Sequence, residues 1–153
     1  MENDKPEFCD LYIVGCGTLG RFAASQYLFL NPNHSVYCET RTTDSHDVLA
    51  NLHANITPQI RSQRNVSKII ATNVLIALPP STPNYLDELS AAATSLWRGP
   101  SCGSLVLISS TGVYGSTIHA GQVVTETSSL DNASPYRVKL IQAEEIIKTQ
   151  RGN

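Results

Sequence analysis

A glycine-rich turn between a short apolar run and an amphipathic segment constrains the fold more than any other feature of this chain. The apolar run, Leu-Tyr-Ile-Val at residues 11–14, leads directly into Gly-Cys-Gly-Thr-Leu-Gly at residues 15–20. Apolar side chains then recur at helical spacing until Asn31, Pro32 and Asn33 end the pattern. The recurring apolar residues are Leu19, Phe22, Ala23, Tyr27 and Leu30. The pattern predicts a strand, a tight turn and a helix in immediate succession.

Later segments repeat this alternation of strand and helix. Residues 35–39 favour a second strand, at the distance where a right-handed crossover returns the chain parallel to the first. Nearly continuous apolar runs at 73–78 and 104–109 predict two further buried strands. Helical spacing over 83–97, and for about fifteen residues after Ser134 and Pro135, predicts two more helices.

Other segments carry a weaker pattern. Residues 44–53 favour a short helix, and the Gly-, Ser- and Thr-rich stretch 110–133 is typical of a loop. Segments 54–58 and 66–71 fit neither the helical nor the strand period, because Pro58 and a polar stretch interrupt them. The whole alternation predicts an α/β fold of the Rossmann type, with a doubly wound parallel sheet between two helical layers.

The size and charge of the chain exclude several classes of function. Its 153 residues, 41% of them hydrophobic, suffice for one domain. Eleven Lys and Arg against 13 Asp and Glu give a net charge of −2, so no broad positive field attracts nucleic acid or anionic lipid. No apolar run reaches the roughly 18–20 residues of a membrane span, and the polar first six residues do not resemble a secretory signal. We therefore expect a cytoplasmic protein with neither a nucleic-acid nor a membrane partner.

The cysteine and histidine residues predict no metal site. The four cysteines contain no C-x-x-C pair, and we expect them to be reduced thiols in an intracellular chain. The four histidines show no paired ligand spacing with Cys or carboxylate residues, so we assign them to surface and loop positions. They are His34, His46, His53 and His119.

Each glycine of the turn has a separate physical task in a dinucleotide-binding unit. Gly15 allows the tight turn, Gly17 allows close approach of a pyrophosphate, and Gly20 allows the helix to pack closely on the strand. The helix that begins near Thr18 and Leu19 offers unpaired N–H groups and a positive dipole end to that pyrophosphate. Because a strand precedes the motif, and a helix and a distant acidic residue follow it, we predict dinucleotide binding.

Two residues near the end of the second strand favour different cofactors. Glu39, 19 positions after Gly20, could accept hydrogen bonds from the adenosine ribose, which favours NAD. Arg41 could instead pair with the 2′-phosphate of NADP. The choice between NAD and NADP depends on where the second strand ends. If it ends at residue 38 or 39, Thr40 and Arg41 would turn over the adenosine pocket, which favours NADP. The sequence favours NADP, with NAD as the alternative.

The ends of the third and fourth predicted strands complete the expected cleft. Ligands of an open parallel sheet bind beyond the carboxyl ends of its strands. We therefore expect two segments to face the cofactor, Leu78-Pro79-Pro80-Ser81 and Ser109-Ser110-Thr111-Gly112.

At this point the chain resembles the short-chain dehydrogenase/reductase superfamily, in its extended and atypical branch related to NAD-dependent epimerase/dehydratases. The resemblance spans nearly the whole chain, and its most specific part is the run Ser-Ser-Thr-Gly-Val-Tyr-Gly at 109–115. The other matching residues are the glycine turn, Thr40-Arg41, Val124-x-Glu126 and Ser134-Pro135-Tyr136.

The resemblance implies a catalytic set for hydride transfer at a carbonyl or carbinol carbon. Ser110, with Thr111 as its neighbouring substitute, would hydrogen-bond the reacting oxygen, and Tyr136 would act as the general acid/base. A lysine four residues after the tyrosine would lower its pKa, but that position is Leu140, and the nearest candidate is Lys139. On a helix, Lys139 lies at the edge of an apolar stripe formed by Tyr136, Leu140, Ala143 and Ile147.

The resemblance also implies a longer protein. Relatives in the extended branch continue past the Tyr/Lys helix into a substrate domain, and the substrate class it suggests is a sugar nucleotide. We therefore interpret residues 1–153 as an NAD(P)-binding Rossmann domain, lacking the C-terminal substrate domain. The alternatives left open are a non-catalytic NAD(P)-binding module and a truncated inactive product.

Overall fold

The computed structural model describes residues 5–64, 69–115 and 123–152. Nine regular elements follow one another in these ranges. They are β1 (Glu7–Val14), α1 (Thr18–Leu30), β2 (Val36–Thr40), α2 (His46–Leu52), β3 (Ile56–Ile60), β4 (Ile69–Ile76), α3 (Tyr85–Ser95), β5 (Leu105–Leu107) and α4 (Pro135–Arg151). Short 3₁₀ turns lie at Arg61–Gln63 and Thr111–Tyr114.

All five strands form one parallel sheet in the order β3-β2-β1-β4-β5. The chain builds outward from β1 to β3 and then crosses to the other side of β1 to begin β4. The switch point, where ligands of such sheets bind, therefore lies between the carboxyl ends of β1 and β4. The predicted α/β fold of Rossmann type is confirmed.

Each face of the sheet has its own apolar core. On one face, β1 and β2 side chains pack with Ala24 and Leu28 of α1 and Leu49 of α2. On the other face, β1 and β4 pack against Leu89 of α3 and Ala143 of α4. These two cores make the three layers that the alternation of elements predicts.

The first helix turns a different face to the sheet from the one the sequence predicts. Its buried residues are Gly20, Ala24 and Leu28, whereas Leu19, Phe22 and Leu30 are exposed. The small side chains Gly20 and Ala24 let the helix approach β1 closely, and this contact outweighs burial of the larger apolar stripe. The prediction of the helix is correct, but of the predicted apolar positions only Ala23 and Tyr27 pack against the core.

The strand bounds also differ from the sequence predictions. The ambiguous segment 54–58 overlaps β3, which begins at Ile56, and Pro58 pairs there with Cys38. Proline is tolerated there because β3 is an edge strand in the described sheet. β4 begins at Ile69, four residues before the predicted start, and β5 has three residues, with Val106 49% exposed. The prediction of a strand in 104–109 is correct at Leu105–Leu107, but the prediction that this strand is buried is wrong, since β5 lies at the other edge of the described sheet.

The last helix carries clear start and stop signals. The hydroxyl of Ser134 accepts a hydrogen bond from the Arg137 amide at 3.3 Å, and Pro135 occupies the first turn. Gly152 ends the helix in a left-handed conformation with φ of 80°. Residues 116–122, His119 among them, lie outside the described residues.

Candidate active site at the sheet switch point

The three glycines of the turn meet three different environments. Gly15 has φ of 87°, and a Cβ there would lie 2.7 Å from a methyl carbon of Leu78. A Cβ on Gly20 would lie 3.1 Å from Ile13 and 3.2 Å from the Cys16 sulfur. Gly17 differs, because a Cβ there would meet no described atom within 4 Å. The turn is therefore tight at both ends and leaves open space beside Gly17.

The open space beside Gly17 belongs to a cavity of about 360 Å³ at the carboxyl edge of the sheet. Loops after four strands line it. The lining residues are Gly15, Cys16 and Gly17 after β1, Thr40, Arg41, Thr42 and Ser45 after β2, Arg61 after β3, and Ala77, Pro79, Ser81, Thr82 and Pro83 after β4. The cavity thus lies at the switch point of the sheet.

The start of α1 presents backbone donors beside this cavity. Gly17 is the N-cap and provides no side-chain hydrogen bond, and the first turn contains no acidic residue. The first N–H groups of a helix have no partner within the helix, and the helix dipole adds partial positive charge there. This arrangement suits a phosphate group, and a side chain at position 17 would fill the space that the phosphate needs.

The Glu39 carboxylate is fully buried and lies in a cluster of charged side chains. It accepts hydrogen bonds from Arg61 Nε at 2.9 Å and from Arg64 Nε and Nη2 at 2.5 and 2.7 Å. The Tyr12 hydroxyl donates a fourth bond at 3.3 Å. Glu88 lies 3.2 Å from Arg64 and extends the cluster. Glu39 is not among the residues that line the cavity.

The cluster changes the ionisation of its members. Burial acts against the charged form of Arg64, but hydrogen bonds and charge from Glu39 raise its pKa. Burial, followed by the negative charge of Glu39, raises the pKa of Tyr12. The arginine is therefore held charged and the phenol neutral at physiological pH.

Arg41 and Arg61 give the cavity a cationic end. β2 continues one residue further than predicted and ends at Thr40, after which exposed Arg41 lines the cavity. The Arg61 side chain is 17% exposed and lines it from the β3 side. No carboxylate is among the described lining residues.

None of the expected catalytic residues is among the described residues that line the cavity, and they do not form one hydrogen-bonded group. The Ser110 hydroxyl accepts a bond from the Gly112 amide at 3.1 Å, and exposed Thr111 begins the 3₁₀ turn. Among the described residues, no hydrogen bond joins Tyr136 to Ser110 or to Lys139. The aromatic ring of Tyr136 nevertheless lies next to this turn, 4.0 Å from the Cβ position of Gly112.

The surroundings of Tyr136 and Lys139 differ from those that the helical spacing of the sequence predicts. Tyr136 is 51% exposed, so the buried stripe of α4 consists of Leu140, Ala143 and Ile147 without it. The Lys139 ammonium donates to the Pro80 carbonyl at 3.2 Å, which ties α4 to the loop after β4.

The other predicted cofactor residues have varied surroundings. Pro79 lines the cavity, whereas Leu78 is buried beneath Gly15. Thr18 and Leu19 are exposed at the first turn of α1. The Ser109 hydroxyl donates to Glu144 of α4 at 2.5 Å, away from the cavity lining.

Sequence reasoning missed Arg61, because the irregular segment around Pro58 hid the strand that ends beside it. It also missed Cys16 as a lining residue. Interaction between the two neighbouring thiols lowers the pKa of Cys16 and raises the pKa of Cys38. All four cysteines are free thiols, and Cys102 is exposed.

Two solved structures resemble the chain over nearly its whole length. One is a functionally unknown conserved protein from Silicibacter pomeroyi, with 18% sequence identity and a TM-score of 0.66, covering 93% of this chain and 48% of that one. The other is a UDP-glucuronic acid 4-epimerase variant from Bacillus cereus, in complex with UDP-4-deoxy-4-fluoro-glucuronic acid and NAD. Its identity is 17% and its TM-score 0.64, covering 94% of this chain and 52% of that one.

At these identities the likeness shows the fold, and the chain spans about half the length of these two structures. No protein-family model and no curated protein sequence matches the chain. In the three described ranges, no helix is both long and apolar enough to span a bilayer. In the same ranges, no group of three or more His, Cys, Asp or Glu side chains is arranged to hold a metal ion.

Proposed function

We propose that this chain is the NAD(P)-binding domain of a cytoplasmic oxidoreductase that resembles the epimerase/dehydratases and reductases of the short-chain dehydrogenase/reductase superfamily. The observation that carries this proposal is the open space beside Gly17, next to an uncapped helix start. A pyrophosphate needs both the space and the donors, and a glycine that served the turn alone would not require the space.

The residues present fit such a cofactor along the length of the cavity. The Gly17 amide already donates to the Gly15 carbonyl at 2.8 Å, so the amides of Thr18 and Leu19 would hold the pyrophosphate in the space beside Gly17. Gly15 and Gly20 shape the turn behind it. Arg41 would contact the adenosine end, and the nicotinamide end would lie along the ends of β4 and β5. Pro79 and Pro80 would lie at that end, with Leu78 packed beneath Gly15 and the Ser109 hydroxyl held by Glu144.

The charge of the cavity favours NADP over NAD. A ribose acceptor for NAD needs a free carboxylate, but both oxygens of Glu39 are engaged by arginines. Arg41 lines the cavity and could pair with a 2′-phosphate, which carries close to two negative charges at neutral pH. We therefore propose NADP as the preferred cofactor.

The bound nicotinamide would supply a hydride donor or acceptor for a carbonyl or carbinol carbon. Ser110 or Thr111 would hydrogen-bond the reacting oxygen, and Tyr136 would exchange its proton. Lys139, fixed at the Pro80 carbonyl, would add positive charge on the same side of the cleft. The epimerase neighbour binds a UDP-sugar, which supports a sugar nucleotide as the substrate class.

A second candidate function is a non-catalytic NADP-binding module. The Ser110 hydroxyl already accepts a backbone hydrogen bond, and Lys139 lies three rather than four residues after Tyr136. These features weaken the catalytic set without touching the cofactor cavity.

Calorimetric titration of the full chain with NADPH and with NADH tests the binding proposal. We expect one cofactor per chain and tighter binding of NADPH. Heat from neither nucleotide at millimolar concentration would contradict the proposal, and tighter binding of NADH would contradict the choice of NADP.

Replacing Tyr136 by phenylalanine separates the two candidate functions. A positioned general acid/base contributes roughly 10²- to 10⁴-fold to rate, so Tyr136→Phe should lose that factor in NADPH-dependent reduction of carbonyl substrates, UDP-sugars included. The control is Tyr27→Phe, whose hydroxyl bonds His34 away from the cavity lining. Equal turnover in the two variants would favour the non-catalytic module.

A further inference from the structure

All hydrogen-bonding capacity of the Glu39 carboxylate is used inside the protein. A carboxylate has about four lone-pair sites, and Glu39 accepts four hydrogen bonds. Two come from Arg64, one from Arg61 and one from Tyr12. A ribose hydroxyl would therefore have to displace one of these donors from a fully buried group.

Arg61 uses only part of its donor capacity in this cluster. A guanidinium carries five N–H groups, and Arg61 donates one of them, on Nε, to Glu39 at 2.9 Å. Among the described residues, no acceptor bonds its two Nη atoms. The side chain lines the cavity at the switch point, and it also lines a second cavity together with Asp87 and Glu88. The bond from Nε to Glu39 holds the guanidinium in place and leaves its Nη atoms available to a ligand.

The charges around Arg61 leave it electropositive toward the cavity. Arg64 forms the two-bond pair with Glu39 and so offsets most of its negative charge. Glu88 lies against Arg64, and Asp44 accepts a bond from the Thr42 hydroxyl at 2.8 Å at the exposed rim. Arg61 therefore faces the cavity together with Arg41, among the hydroxyl groups of Thr40, Thr42 and Ser45.

We propose that Arg61 is a second cationic ligand of the cofactor 2′-phosphate, and that buried Glu39 is the positioning residue that fixes the Arg61 guanidinium toward it. The inference rests on the proposed NADP site and adds a specificity-determining residue to it. An acidic residue at this strand end ordinarily favours NAD by accepting hydrogen bonds from the ribose hydroxyls. Glu39 instead favours the 2′-phosphate of NADP, because it positions Arg61.

The test compares ligands that differ by the 2′-phosphate alone. In the full chain with Arg61→Gln, we expect affinity for NADPH and for adenosine 2′,5′-bisphosphate to fall by about 10- to 100-fold, the range of charged hydrogen bonds. Affinity for NADH and adenosine 5′-monophosphate should stay within about twofold, since they lack that phosphate. Arg98→Gln removes the same charge beside Phe8, near the amino end of β1. This control should change none of the four ligand affinities.

Glu39→Gln separates the positioning role from direct contact with the ribose. The substitution releases Arg61 and should weaken NADPH binding, while the affinity for NADH should stay within about twofold of the parent. A carboxylate that accepts ribose hydroxyls would give the opposite pattern, with weaker NADH binding. That opposite pattern would overturn the inference.

A measurement on the unaltered chain makes the test independent of variant stability. The ¹⁵Nε resonance of Arg61 should shift when adenosine 2′,5′-bisphosphate is added and stay in place with adenosine 5′-monophosphate. A resonance that does not shift at saturation would overturn the role of Arg61. The same would follow if Arg61→Gln weakened the binding of NADPH and of NADH equally. A parent chain that binds neither dinucleotide would overturn the proposed function and this inference together.

Discussion

The Glu39 carboxylate and the Arg64 guanidinium form a two-bond ion pair, with Nε and Nη2 of the arginine at 2.5 and 2.7 Å from the two oxygens. Both side chains are nearly inaccessible, at 0% and 5% exposure. Such a pair joins the end of β2 to the segment after β3 from inside the protein. It therefore links the stability of the fold to the geometry of the cofactor cavity.

Removing Arg64 should destabilise the protein strongly. In Arg64→Gln, the buried carboxylate loses its two-bond partner, and we expect a loss of about 3–5 kcal/mol in the free energy of unfolding. Urea unfolding followed by circular dichroism measures this loss. The exposed Arg98→Gln should stay within about 0.5 kcal/mol of the parent. Equal unfolding midpoints for the two variants would show that the ion pair contributes nothing.

Gly17 and Gly20 should respond in opposite ways to the same added methyl group. Gly17→Ala finds open space, so the free energy of unfolding should change by less than about 1 kcal/mol, while NADPH affinity falls at least about tenfold. Gly20→Ala places a carbon 3.1 Å from Ile13 and should cost about 1–3 kcal/mol in stability. Thermal unfolding and calorimetry measure both effects. Gly17→Ala that binds NADPH like the parent would contradict the proposed pyrophosphate position.

Two buried tyrosines should differ in what their hydroxyl groups contribute. The Tyr85 hydroxyl is buried and has no hydrogen-bond partner among the described residues, so Tyr85→Phe should leave stability unchanged or raise it by about 1 kcal/mol. The Tyr12 hydroxyl donates to Glu39, and Tyr12→Phe should lose about 1–3 kcal/mol. Urea midpoints of the two variants give the comparison, and a larger loss in Tyr85→Phe would contradict it.

The fold should lose stability in alkaline solution. Burial, followed by the charges of Asp10 and Glu7, raises the pKa of Cys9 from 9.0 to about 12. Between these values the unfolded chain releases the thiol proton while the folded chain keeps it. The contribution of Cys9 is therefore complete below pH 9 and falls by up to about 1.4 kcal/mol per pH unit as pH rises toward 12.

Unfolding midpoints at pH 7, 9 and 10.5 measure this dependence. In Cys9→Ala the free energy of unfolding should decline less steeply above pH 9 than in the parent, because the variant has no thiol at this position to ionise on unfolding. The exposed Cys102→Ala serves as the matched control and should keep the parental slope. Identical slopes in both variants would contradict the assignment to Cys9. The tyrosines with raised pKa, Tyr12 and Tyr37 among them, add to the decline at still higher pH.

The sequence predicts β1, the glycine turn and α1 well because the signals for these elements are local. The glycine turn, the apolar run before it and the helix after it all lie where the pattern indicates. Which face of α1 is buried could not be predicted, since it depends on close approach to β1 at Gly20. Edge strand β3 was also hidden, because Pro58 is excluded from central strands but not from an edge.

The site was less predictable because its charges depend on contacts between distant segments. Glu39 matches the acidic position of an NAD site by spacing alone, yet its partners come from 22 and 25 residues further along the chain. No local pattern predicts that Arg61 and Arg64 meet this carboxylate. Likewise, the contact between Lys139 and the Pro80 carbonyl joins residues 59 positions apart.

The central claim is that the amides at the start of α1 hold a pyrophosphate, and a ¹⁵N-labelled sample tests it directly. Adding NADPH, or ADP as the shorter pyrophosphate ligand, should shift the amide resonances of Thr18 and Leu19, whereas adenosine alone should leave them unchanged. The amide resonances of Phe8 and Arg98, near the amino end of β1, serve as the internal reference. Resonances of the α1 start that stay in place while either pyrophosphate ligand is in large excess would contradict the account.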